Sequence, residues 1–99
     1  MTARIIVADV LAHVAREFGL TLDEMRGSCR RKWLVEARFA AVWLARRHTA
    51  ANLSGIGRVL GGRNHSTIIF AERRSEQLRE RNDCFRRKTD ALDAMLREA

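Results

Sequence analysis

The sequence predicts an all-α domain of about six helices. Three observations carry this expectation. The 99 residues contain no proline, and the six glycines are spread along the chain. Apolar residues recur at steps of three and four, the period of a helix with one buried stripe. No stretch shows the Val/Ile/Thr/Tyr alternation of a half-buried strand.

Taken in order, Val7, Val10, Leu11, Val14 and Phe18 form one stripe of a first helix over about residues 2–18, which Gly19 ends. Thr21 and Glu24 stand at the spacing of a capping box, so a short second helix starts at Leu22 and stops near Gly27. The segment Arg26-Gly27-Ser28-Cys29-Arg30-Arg31-Lys32 has four cationic residues and almost nothing to bury, and reads as a basic loop. A third helix over residues 34–47 has Ala37, Ala40, Ala41 and Ala45 to favour helix and Phe39, Val42 and Trp43 to supply bulk. It is apolar over most of its circumference, which makes it the expected centre of the core. Trp33 and Trp43 are both expected in that core.

Asn52 is a good N-cap for a fourth helix over residues 53–60, with Ile56, Val59 and Leu60 facing inward. Gly61-Gly62 then supplies the left-handed conformation of a helix end. Asn64 or Ser66 caps a fifth helix of about 15 residues through Ile68, Ala71, Ser75 and Leu78. So tight a glycine turn implies a steep crossing, as in a helix-turn-helix. A sixth helix from Asp83, with Phe85, Thr89, Leu92 and Leu96 on one face, packs on the body as a lid. There is no linker or repeat, so residues 1–99 read as one domain.

Composition narrows the function. A balance of 19 Lys+Arg against 12 Asp+Glu gives a net charge of +7, and 17 of the cations are arginine. Such a surface seeks a polyanion, either nucleic acid or an anionic membrane. Arginine's planar fork suits phosphate and base edges better than lysine's point charge does. No run approaches the roughly 18 apolar residues of a membrane span, and the N-terminus reaches Asp9 too soon for a signal peptide. The expectation is a cytoplasmic protein with Cys29 and Cys84 as free thiols. An enzyme is not expected: Asp9, Glu17, Asp23 and Glu24 read as helix-surface and cap residues, and His13 and His48 have no evident nucleophile beside them. Cys29, Cys84 and His65 lack the spacing of a zinc site. No metal or cofactor is expected.

The most informative stretch runs Leu53-Ser54-Gly55-Ile56-Gly57-Arg58-Val59-Leu60-Gly61-Gly62-Arg63-Asn64-His65-Ser66-Thr67-Ile68-Ile69-Phe70-Ala71. It reads as a short amphipathic helix, a Gly-Gly turn, and a second helix whose first turn is entirely polar. A recognition helix presents such a turn to base edges in the major groove. Thr67 offers a hydroxyl and a methyl, and Asn64 can cap the helix or pair with adenine.

These residues resemble the C-terminal DNA-binding domain of the bacterial replication initiator DnaA, whose helix-turn-helix carries a pattern close to GGRDHTTVLHA. The likeness extends over nearly the whole chain, through Leu53-Ser54-Gly55-Ile56-Gly57 and Trp43-Leu44-Ala45-Arg46. It implies a Trp-repressor-like helix-turn-helix fold that reads double-stranded DNA at DnaA-box-like sites and modulates replication initiation or transcription. By position, it implies that Arg63, His65, Ser66 and Thr67 address the major groove, with Asn64 in the same turn. Lys32 stands at the place of a minor-groove arginine in the basic loop. Arg30, Arg31, Arg38 and Arg74 are then expected to hold phosphates. The implied partners are duplex DNA and, as further candidates, the replication initiator or other replication proteins, with no membrane, and the implied state is a monomer.

Three positions depart from the family pattern. An acidic residue becomes Asn64, an Arg-Pro-Arg becomes Glu36-Ala37-Arg38, and a late histidine becomes Phe70. The loss of Arg-Pro-Arg keeps a second reading open, a protein-interaction adaptor that retains the fold with only non-specific DNA binding. No phosphate-cradling GxxxxGK[ST] is present, so ATP-driven origin opening is not expected of this chain. Met1 close to the first helix favours a complete small protein, and a fragment of a longer initiator is the alternative.

Overall fold

A computed structural model describes residues 5–98. Among these it forms six helices and no strand: α1 (Val7–Phe18), α2 (Leu22–Arg26), α3 (Lys32–His48), α4 (Leu53–Val59), α5 (His65–Arg81) and α6 (Asp83–Glu98). The all-α expectation holds.

α3 is the axis of the molecule. Its alanines remove bulk where neighbours approach, and six consecutive residues from position 40 to 45 are buried, which requires cover on every side. α1, α5 and α6 provide most of it. Val10, Leu11 and Val14 enter the core from α1, Ile68 and Ala71 from α5, and Phe85, Leu92 and Leu96 from α6. Each large side chain so buried contributes about 1.5–3 kcal/mol. α6 lies across α1, α3 and α5 as the expected lid.

Among the described residues every buried polar side chain is paired. The Ser75 hydroxyl donates to the Phe39 carbonyl at 2.6 Å, locking α5 to α3. Trp43 donates its indole N–H to Glu76 at 3.0 Å, and the guanidinium groups of Arg47 and Arg79 lie 4.5 Å and 4.2 Å from its ring. Asp93, only 6% exposed, joins α6 to the end of α3 through His48 Nε2 at 2.6 Å, with Arg47 and Arg97 also on its carboxylate.

Several boundaries differ from expectation. α1 begins at Val7; the expected residues 2–4 lie outside the described residues, and Ile6 is extended, its N–H held by the Asp9 carboxylate at 3.2 Å. α3 begins two residues early, at Lys32, so the basic loop is confined to residues 27–31 and Lys32 belongs to the helix. The first turn closes by a backbone bond alone, Val35 N–H to the Arg31 carbonyl at 3.0 Å, without a capping side chain to announce it. Trp33 is not in the core but 49% exposed: its neighbour Leu34 takes the buried side of the first turn of α3, and Arg31 stacks over the Trp33 ring at 5.4 Å. No helix among the described residues is long and apolar enough to cross a membrane.

Candidate nucleic-acid interface

The turn between α4 and α5 is made by Gly61 and Gly62, with φ of 85° and 80° in the left-handed region that glycine enters without steric cost. It is also pressed against its surroundings. The Gly57 carbonyl accepts the N–H groups of Gly62 (2.9 Å) and Arg63 (2.8 Å). A Cβ on Gly57 would stand 1.9 Å from the Arg63 carbonyl oxygen, and one on Gly61 would stand 2.2 Å from the Arg26 carbonyl oxygen. Backbone thus touches backbone where α4, the turn and the end of α2 meet.

Two arginines brace this junction. Arg63 turns back from the start of α5 and donates to the carbonyls of Gly27 (2.6 Å) and Leu60. Arg38 is buried at 7% exposure and donates from all three nitrogens, to Met25 (2.9 Å), Cys29 (2.5 Å) and Glu24 (2.9 Å). The last carbonyls of a helix have no partner within it, and cations are favoured there by the helix dipole. Burial pushes both guanidinium groups below arginine's ordinary pKa, and for Arg38 the charge of Arg63 adds to the effect.

These positions correct two expectations. Arg38 does not stand on the surface to hold a phosphate; its donors are spent on the α2–α3 loop. Arg63 is partly buried and directs its guanidinium to the carbonyls of Gly27 and Leu60, which fastens the turn to the end of α2, while the residue also lines the groove between the basic loop and α5.

The remaining sequence-predicted residues are exposed: Arg30, Arg31, Lys32, Asn64, His65, Ser66, Thr67 and Arg74. Asn64 is the cap of α5, its Oδ1 accepting the Thr67 N–H at 2.9 Å and the Thr67 hydroxyl at 3.1 Å. The choice between Asn64 and Ser66 is thereby resolved, and Ser66 is left free on the first turn. Arg74 extends along α5 and donates to Gln77 at 2.9 Å.

A groove of about 410 Å³ separates the basic loop from α5. Ser28 and Arg30 form one wall, Thr67 and Phe70 the other, and Val35 and Phe39 lie between. The loop and the polar turn therefore open on the same side of the molecule. Sequence reasoning did not assign Phe70, or Arg58, which lines a shallow depression with Ser54, Asn64 and His65. Phe70 was visible as a departure from the family pattern. Arg58 carried no signal beyond its charge beside the turn. Among the described residues no three His, Cys, Asp or Glu side chains come together to hold a metal.

Comparison with known proteins agrees with a helix-turn-helix fold. Residues 7–74 match the family described as the bacterial dnaA protein helix-turn-helix. The chain is 37% identical over 91 residues to the chromosomal replication initiator protein DnaA of Thermus thermophilus, a match that covers 92% of this chain and 20% of that protein. The DnaA of Corynebacterium jeikeium is 42% identical over 82 residues, or 82% of this chain and 14% of that protein. That of Caulobacter vibrioides is 33% identical over 94 residues, or 95% and 19%. The chain spans at most about a fifth of the length of these relatives.

Proposed function

The chain belongs to the bacterial DnaA helix-turn-helix family, a family of DNA-binding domains, and from that premise we propose that it reads double-stranded DNA at sites related to DnaA boxes. The observation that carries the proposal is the shared groove: an exposed cationic loop and an exposed polar helix turn face one side, with Arg30 and Thr67 on opposite walls. One strand's sugar-phosphate backbone lies between a major and a minor groove, so a molecule reading both grooves must present its two reading elements on one side.

In this reading His65, Ser66 and Thr67 enter the major groove and Lys32 reaches the neighbouring minor groove. Arg30, Arg31 and Arg74 hold phosphates. Arg38 and Arg63 touch no DNA but fix the loop to the turn, so little ordering cost remains to be met on binding. The chain acts without catalysis and as a monomer, by occupying sites that a full initiator also reads, and so modulates replication initiation or transcription. Initiators and other replication proteins are then its indirect or direct partners. The inward direction of Arg38 and Arg63 favours a second reading, the adaptor with only non-specific DNA affinity, because it leaves fewer cations for the duplex.

A titration of labelled duplexes with and without a DnaA box, over a range of salt, tests the proposal. Three exposed arginines on phosphates predict a log-log salt slope of about −2.7, and specific binding should exceed that to a scrambled duplex by about 1000-fold. His65→Ala should flatten the preference, and Arg30→Ala should weaken all duplexes alike. Equal affinity for both duplexes rejects box recognition and leaves the adaptor.

A further inference from the structure

We infer that Phe70 is a specificity-determining residue that reads the 5-methyl group of a thymine in the major groove. The inference rests on the DNA-reading proposal above. Phe70 is the most exposed large apolar side chain among the described residues, at 58%. It lies one helical turn beyond Ser66, with Arg73 and Arg74 on the turn that follows, and residues three and four apart share a helix face. That face is otherwise polar and open: Ser66, Arg73, Arg74 and Gln77 are all exposed.

The ring is held in place without being covered. Phe39 meets it edge-on, with centroids 6.3 Å apart and planes at 70°. Such a contact fixes the orientation of the ring and leaves its outer surface to solvent. A phenyl ring has no hydrogen bond to offer a base edge. In the major groove only one ordinary base presents an apolar group, the methyl of thymine, and apolar side chains pack on it. The position therefore selects by burial of a methyl group, whereas the polar turn before it selects by hydrogen bonds. The same methyl occurs on 5-methylcytosine, and the test separates the two sources.

The full chain is first used to select duplexes from a random pool. Each thymine of the selected site is then replaced singly by uracil, which removes only the methyl, and each cytosine by 5-methylcytosine. At one thymine, uracil should weaken binding about fourfold, the factor equivalent to the ~0.8 kcal/mol of one buried methyl. Phe70→Ala should abolish that difference while keeping the parental circular dichroism and thermal midpoint, since the side chain is mostly exposed; Phe70→Leu should keep part of it. Uracil sensitivity that survives in Phe70→Ala, or is found at no thymine, overturns the assignment alone. A gain at a 5-methylcytosine without loss at any uracil overturns thymine as the source. A pool that never enriches a site refutes the DNA-reading proposal and the role of Phe70 with it.

Discussion

Replacing Arg38 with alanine separates a clamp from a phosphate contact. The guanidinium makes three hydrogen bonds, to the carbonyls of Glu24, Met25 and Cys29. A bond involving a charged group contributes about 1.5 kcal/mol at the low end, so the gross loss is ~4.5 kcal/mol. Part of that returns. Burial and the nearby charge of Arg63 both oppose the Arg38 cation, and alanine relieves them. Even at the ~1 kcal/mol minimum for each of the three carbonyls left without a donor, a net loss of about 3 kcal/mol remains, a large fraction of the ~5–15 kcal/mol that holds a small domain together. At this chain length each kcal/mol moves the thermal midpoint by about 4–8 °C, so thermal unfolding followed by circular dichroism should shift down by at least ~12 °C. The slope of DNA affinity against salt, measured below the new midpoint, should stay parental because no phosphate contact is lost. Arg30→Ala should do the reverse, keeping the midpoint and making the slope shallower by about 0.9. An Arg38→Ala protein with a parental midpoint and a shallower slope refutes the clamp.

Two further outcomes follow from the packing. Gly57→Ala places a Cβ 1.9 Å from the Arg63 carbonyl oxygen and should cost at least ~2 kcal/mol in urea unfolding, whereas Gly55→Ala meets nothing closer than the capping Asn52 Oδ1 at 3.3 Å and should cost less; equal effects would contradict the close approach. Burial raises the Asp93 carboxyl pKa, but the hydrogen bond from His48 and the charges of Arg97 and Arg47 outweigh it and hold the value below the ordinary one. Stability from Asp93 is therefore full above about pH 5 and lost as pH falls toward the lowered folded-state value, so the gap between the parent and Asp93→Asn should close between about pH 5 and pH 2, and a gap that does not change with pH rejects the pairing.

Much of this architecture was legible because local chemistry announces it. Thr21 with Glu24, Asn52, and the Gly61-Gly62 pair mark helix ends by what their side chains, or lack of them, do to the nearest backbone. Where the start of a helix uses no capping side chain, as at Arg31, that signal is missing and the boundary moved by two residues. The two misplaced arginines have a different cause. Whether a guanidinium faces DNA or protein depends on what lies across from it. The carbonyls that hold the two arginines belong to residues far back in the chain: Gly27 stands 36 positions before Arg63, and Glu24 stands 14 positions before Arg38. One clue was local after all: a five-residue helix that ends in a glycine must find donors for its last carbonyls elsewhere. Trp33 was misjudged because helical spacing says which face is apolar and not how far the neighbouring helices extend along it.

The two tryptophans end in opposite surroundings, and this gives the molecule its own optical instrument. Trp43 is sealed at 6% exposure beneath Arg47 and Arg79, so its emission reports the separation of α3 from α5. Trp33 stands at 49% exposure beside the cationic loop, where anything that settles on that loop alters its solvent. A quencher dissolved in water reaches the second indole and not the first. Unfolding and occupancy of the loop can therefore be told apart by intrinsic fluorescence from a single unlabelled sample.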